Sequence, residues 1–95
     1  MILVRTVFQA KWGKAQELVA AFKEGMRGAE RQPRILTDLS GPFHTVVLEG
    51  EHESLAAWER FRAQMFADPQ FAAGSRRVDE LVESGRTEYY TIESD

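Results

Sequence analysis

The chain has 95 residues, 43% hydrophobic and 28% charged, the composition of a folding globular domain, and at this length one core can be built but not two. Its 15 acidic and 12 basic residues leave a formal charge of −3, which supplies no field to draw a phosphate backbone, so nucleic acid is not an expected partner. Cysteine is absent, which excludes disulfides, thiolate metal sites and a cysteine nucleophile.

A single domain over residues 1–95 is therefore expected. No stretch reaches the length of an apolar membrane span. The opening Met1-Ile2-Leu3-Val4-Arg5 has neither a basic leader region nor a small-residue cleavage site. No membrane partner is expected, and the expected location is cytoplasmic.

Ile2 to Gln9 is rich in β-branched and aromatic residues and reads as a first strand. Ala15, Leu18, Val19, Phe22 and Met26 then recur at helical spacing, which predicts an amphipathic helix from about Lys14 to Ala29, stopped by Gly28 and Pro33. Arg34 to Ser40 and Phe43 to Glu51 are period-two segments separated by Gly41-Pro42, and so predict a hairpin. Ser54 is placed to cap a second helix running to about Phe66. Asp68-Pro69 restarts the chain as a cap and first-turn proline, with Phe71, Val78, Leu81 and Val82 as the apolar stripe of a third helix ended by Ser84-Gly85. Arg86 to Glu93 alternates as a last strand.

This order, β-α-β-β-α-(α)-β, is the split βαβ plan of an α+β, ferredoxin-like fold, with helices on one face of an antiparallel sheet. The second face of such a sheet normally meets water. Here Leu3 and Val7 oppose Ile2, Val4 and Phe8, Leu36 opposes Ile35 and Leu39, and Val47 and Phe43 oppose Val46 and Leu48. Apolar residues on both faces predict a homodimer closed sheet to sheet.

Trp12-Gly13-Lys14-Ala15-Gln16-Glu17-Leu18-Val19, Glu53-Ser54-Leu55-Ala56-Ala57-Trp58 and Ala67-Asp68-Pro69-Gln70-Phe71 resemble the corresponding segments of the dimeric α/β-barrel superfamily. Within it, antibiotic-biosynthesis-monooxygenase-like and NIPSNAP-like domains are the most similar. The resemblance spans nearly the whole chain and rests on helix starts and a helical break, so it implies fold more than activity. Trp12-Gly13 stands where Pro-Gly is usual. Superfamily members include cofactor-independent oxygenases, haem-degrading enzymes and small isomerases, and no catalytic motif of any branch is recognisable here.

Arg5, a charge in the middle of the first strand, must be paired or face a wet cavity. Asp38 is the counter-charge expected from the sequence, and a structural pair across the dimer is the alternative to a site. His44 is read as the strand histidine, available as a general base or axial haem ligand, or else as a hydrogen-bonded residue at a strand end. Tyr89 and Tyr90 put one phenol on each face of the last strand. Trp12, off any stripe, is a candidate pocket wall, whereas Trp58 lies on the stripe of its helix. Glu49, Glu51, His52 and Glu53 cluster without the spacing of a zinc site, so no metal is expected. Arg60, Arg62, Arg76 and Arg77 read as a solvated helix face.

Three functions follow. The first is a domain binding a small apolar or aromatic ligand in a cavity between sheet and helices. The second is a cofactor-independent monooxygenase or isomerase, with His44 or Asp38 as base and Arg5 stabilising an enolate. The third is an interaction module with no ligand. No cofactor is implied by the residues, and the second reading requires its groups to converge on one cavity.

Overall fold

A computed structural model describes residues 1–94. The elements are β1 (Ile2–Ala10), α1 (Ala15–Gly25), β2 (Arg34–Thr37), β3 (Thr45–His52), α2 (Leu55–Ala67), α3 (Pro69–Leu81) and β4 (Val82–Thr91). The strands pair antiparallel in one four-stranded sheet of order β2-β3-β1-β4. This is the expected ferredoxin-like, α+β arrangement. Among the described residues no helix is long and apolar enough to cross a membrane.

The core lies between one sheet face and the helices. Leu18 of α1 and Val46 of β3 are fully enclosed, with Ala10, Ala15, Phe22 and Leu81 buried around them. Phe8 of β1 packs on Phe22 with ring centroids 5.0 Å apart. The positions that face inward on α1, Ala15, Leu18 and Phe22, are those of the predicted apolar stripe. Each fully buried aliphatic side chain contributes about 1.5–3 kcal/mol by leaving water.

The predicted caps form. Ser54 Oγ accepts the Ala57 N–H at 3.1 Å, and an Asp68 carboxylate oxygen accepts the Gln70 N–H at 2.9 Å, with Pro69 in the first turn of α3. Each satisfies an N–H that has no partner within its own helix.

Several element ends differ from the sequence expectation. Helix α1 stops at Gly25, before Gly28. Strand β2 stops at Thr37 and not at Ser40, because the Asp38 carboxylate accepts the Thr45 N–H at 3.0 Å and closes the turn from inside. Gly41 at φ +97° takes that turn through the left-handed region open to glycine. Strand β3 therefore begins at Thr45, which leaves Phe43 and His44 in the turn. Helix α3 gives way to β4 at Val82, so Ser84-Gly85 lies inside a strand and ends no helix. The Lys11 N–H donates to Leu81 O at 2.8 Å, and Val82 already pairs with Ala10. Tertiary pairing sets this boundary.

Candidate functional site

Directly opposed residues of an antiparallel pair project to the same side, so the register reads out the sheet face that the helices leave uncovered. One row across it is Arg34 of β2, Glu49 of β3, Arg5 of β1 and Glu88 of β4. The next is Leu36, Val47, Val7 and Arg86. On the far side of the charged row, Glu51, Leu3 and Tyr90 stand together. The uncovered face is thus a ladder of alternating charge beside a row whose valines, Val7 and Val47, are already buried within the chain, and not the apolar surface expected from the sequence. Leu39 and Phe43, read there as face residues, project from the turn and are exposed.

Arg5 is paired within the chain, but not with Asp38. Its Nε lies 3.3 Å from Glu49 Oε2 and its Nη1 3.9 Å from Glu88 Oε1. Glu49, 8% exposed, also accepts a hydrogen bond from Arg34 Nη2. Glu88 accepts from Arg86 Nε at 2.8 Å and from the Tyr90 hydroxyl at 3.0 Å. Those two hydrogen bonds, the arginine's first, hold the Glu88 carboxyl below the usual carboxylate range. Asp38 lies beyond the end of β2, where its carboxylate serves the Thr45 N–H. The Arg5 Nε N–H is not aimed at the neighbouring Glu49 oxygen. It is the one buried side-chain polar atom among the described residues without a hydrogen bond.

Arg5 and Asp38 line the same open depression of about 300 Å³, whose apolar walls are Leu36, Leu39, Pro42 and Val47. A second, of about 270 Å³, adjoins it through Pro42 and Thr45 and is bounded by Val7, Gln9 and Arg86. Both lie on the uncovered face, whereas the sequence reading placed the ligand cavity between sheet and helices.

His44 does not reach this face's depressions. It sits in the β2–β3 turn at φ +61°, a left-handed conformation in which histidine is among the better tolerated residues. Its carbonyl accepts the Ala10 N–H at 2.9 Å. The His44 ring stands edge-on to Trp12 at 4.7 Å, and Trp12 in turn meets Phe43 at 5.7 Å. Trp12 is 74% exposed. Trp12, Phe43 and His44 therefore form a cluster of their own at one end of the sheet. The two tyrosines divide as expected. Tyr90 joins the charged ladder through Glu88, while the Tyr89 hydroxyl, on the helix side, accepts from Trp58 Nε1 at 3.3 Å.

The histidine within a strand is His52, which ends β3, and not His44. It is 4% exposed, 5.0 Å from the Trp58 ring and 5.4 Å from Phe61. Arg31 Nη1 approaches its Nδ1 at 2.9 Å. Burial first, and the Arg31 charge second, push the imidazole below its ordinary pKa. The sequence offered this residue only as part of the Glu49–Glu53 cluster. Strand alternation sends Glu49 and His52 to opposite faces, and no group of three or more His, Asp or Glu side chains among the described residues is placed to hold a metal ion. Of the arginines read as a solvated face, Arg62 lies over the Phe66 ring at 4.7 Å and Arg77 bridges to Glu17 at 2.9 Å.

No protein-family model matches the chain, and no curated protein does. Solved structures do. An uncharacterised NIPSNAP domain protein from Burkholderia xenovorans is 19% identical, covering 99% of this chain and 96% of its own, with a TM-score of 0.89. A NIPSNAP family protein from Agrobacterium tumefaciens is 18% identical over 99% of this chain and 88% of its own, with a TM-score of 0.84. An antibiotic-biosynthesis-monooxygenase-like protein from Chloroflexus aurantiacus is 11% identical over 99% of this chain and 95% of its own, with a TM-score of 0.72. At these identities the likeness is one of fold, and the chain has the ferredoxin-like fold shared by NIPSNAP domain proteins and antibiotic-biosynthesis-monooxygenase-like proteins.

Proposed function

We propose that the chain works as a homodimer closed through its uncovered sheet faces, and that the enclosed space binds a small, largely apolar or aromatic molecule through an anionic oxygen held at Arg5. The observation that carries this reading is the position of Arg5 itself. It belongs both to the charged ladder and to the wall of an apolar depression, and its side chain is 34% exposed there. A carboxylate or enolate oxygen of a ligand in the depression would make a charge-assisted hydrogen bond to the exposed part of this guanidinium. Apolar walls with one convergent charged donor are the ordinary make-up of a small-molecule site.

The ladder supports the second copy as the cover. Its order across the sheet is Arg34, Glu49, Arg5, Glu88, alternately positive and negative. A two-fold axis running along the strands reverses that order in the partner, which sets every positive group over a negative one. The row is complementary to itself, as a two-fold interface requires. The oxygenase reading has less support, because its proposed base His44 is in the Trp12 cluster and Asp38 is engaged by Thr45.

Two measurements test the reading separately. Light scattering coupled to gel filtration should give twice 10.8 kDa at micromolar concentration, and a mass near 10.8 kDa throughout would sink the dimer. Titration calorimetry with 1-naphthoate and with neutral naphthalene-1-methanol should show the anion binding the more tightly. Arg5→Met should abolish that preference in a folded protein. Equal affinity for the two probes, or binding of the anion unchanged in Arg5→Met, would remove the ligand reading and leave the dimer standing.

A further inference from the structure

The loop between α1 and β2, residues 26–33, carries Arg31, whose guanidinium lies 2.9 Å from His52 Nδ1. Arginine only donates, so Nδ1 must accept, and the single proton of the neutral ring is on Nε2. That side of the ring lies near Gly50, where an added Cβ would stand 3.8 Å away. The ring itself is packed against Trp58 and Phe61 of α2. One imidazole at the end of β3 thus touches a loop, a strand and a helix.

Helix α2 has few other holds on the sheet. None of its residues is buried, and beyond the His52 contacts Trp58 donates to the exposed Tyr89 hydroxyl at 3.3 Å. At its two ends the 26–33 loop is held by Met26 against the core and by Pro33 beside Gly50, and between them it is closed on itself, with Gln32 Nε2 donating to Met26 O at 3.0 Å and the Ala29 N–H to the same carbonyl at 3.0 Å. We propose that His52 is a protonation-operated latch, which in its neutral form seats Arg31 and the first turns of α2 on the end of β3 and releases both when it takes a proton.

A proton on Nδ1 would set donor against donor and place an imidazolium packed on two aromatic rings 2.9 Å from a guanidinium. Arg31 is the charged group acting on the ring. Trp58 and Phe61 of α2 and the opposed Ile2 of β1 carry no charge, Glu51 projects from the opposite face, and Glu53 is exposed beyond the strand. Because the folded state favours the neutral ring, the latch is fully closed above the ordinary histidine pKa. Its contribution falls away as the pH drops through the lower, folded value. Separation of the ring from Trp58 and Phe61 would open the space beneath α2, on the face away from the Arg5 depression.

The test is a pH titration followed by NMR of the imidazole carbons, from about pH 8 to about pH 4.5, with the His52 signal identified by its absence in His52→Gln. Backbone amides of residues 26–33 and of the first half of α2 should shift with the His52 midpoint. Arg31→Met, a change at an exposed position, should raise that midpoint and leave the middle of the loop free of His52 at every pH. Loop and α2 signals that stay constant through the His52 transition, or that follow His44 instead, would overturn the latch. So would a His52 midpoint unmoved by Arg31→Met, a result that does not depend on His52→Gln folding.

Discussion

Glu49 is a carboxylate with 8% of its surface exposed in a strand, and two guanidinium groups flank it along one row of the sheet. Glu49→Gln leaves Arg5 with only the more distant Glu88 at 3.9 Å. A loss of about 2 kcal/mol is expected, read as a fall of roughly 10 °C in melting temperature. Arg34→Met should cost under about 1 kcal/mol, since the Arg34 side chain is 75% exposed and water already screens it. A double-mutant cycle on Arg5 and Glu49 should give a clear coupling energy, and one on Arg5 and Asp38 a value near zero. A large Arg5–Asp38 coupling would contradict the observed register. The sequence showed that a mid-strand arginine needs an acid but could not select it, because Asp38, Glu49 and Glu88 are all acids in or beside predicted strands, and only pairing register separates them. His44 poses a similar problem. A residue next to Gly41-Pro42 reads equally as the first strand position or the last turn position, and the left-handed φ that decides the matter has no signature in histidine. His44→Gly should exceed His44→Ala in stability by about 1 kcal/mol, because both lose the ring and only glycine loses the Cβ strain. Equal melting points for the two would show that the turn carries no such strain.

Among the elements, the order and the helix starts were readable because their signals are local. Ser54 and Asp68 can satisfy a first-turn N–H whatever the rest of the molecule does, and both do. Ser54→Ala should cost about 1 kcal/mol. The effect should be plain in thermal melts because α2 has no buried residue to compensate, and an unchanged melting point would mean that α2 contributes nothing to cooperative unfolding. The ends of β2, β3 and α3 were misread for the converse reason. The contacts that fix them lie outside the elements themselves: Thr45 for Asp38 at the β2–β3 turn, and Leu81 for Lys11 and Ala10 for Val82 where α3 gives way to β4. Ser84-Gly85 carries a strong local stop signal, yet β4 runs through it, since the glycine opposes Phe8 and a Cβ there would stand 3.3 Å from the Val7 carbonyl. In this chain the glycine permits a close strand approach, and a helix terminator cannot be told from such a position by composition.

For the whole molecule, the second sheet face is not the apolar surface that the sequence predicts. The sequence supplied apolar residues on both strand parities, but not that the charged ones fall into a single row, which only the register of three strand pairs reveals. Leu39 offers a test of what covers that row. Its side chain is wholly exposed and overhangs the depression beside Arg5. In an isolated chain Leu39→Asp would remove no contact and should change stability by less than about 0.5 kcal/mol. Beneath a second copy the same carboxylate would be desolvated beside Asp38, so association should weaken by at least tenfold. Added salt would act on the proposed interface from the other side, screening the ladder and loosening such a dimer. Scattering measured over a dilution series at low and high ionic strength, with circular dichroism to verify the fold, reads both effects. A Leu39→Asp protein with unchanged mass and melting point at every dilution would put this rim outside any interface, and the two depressions would then have to bind their ligand in the open.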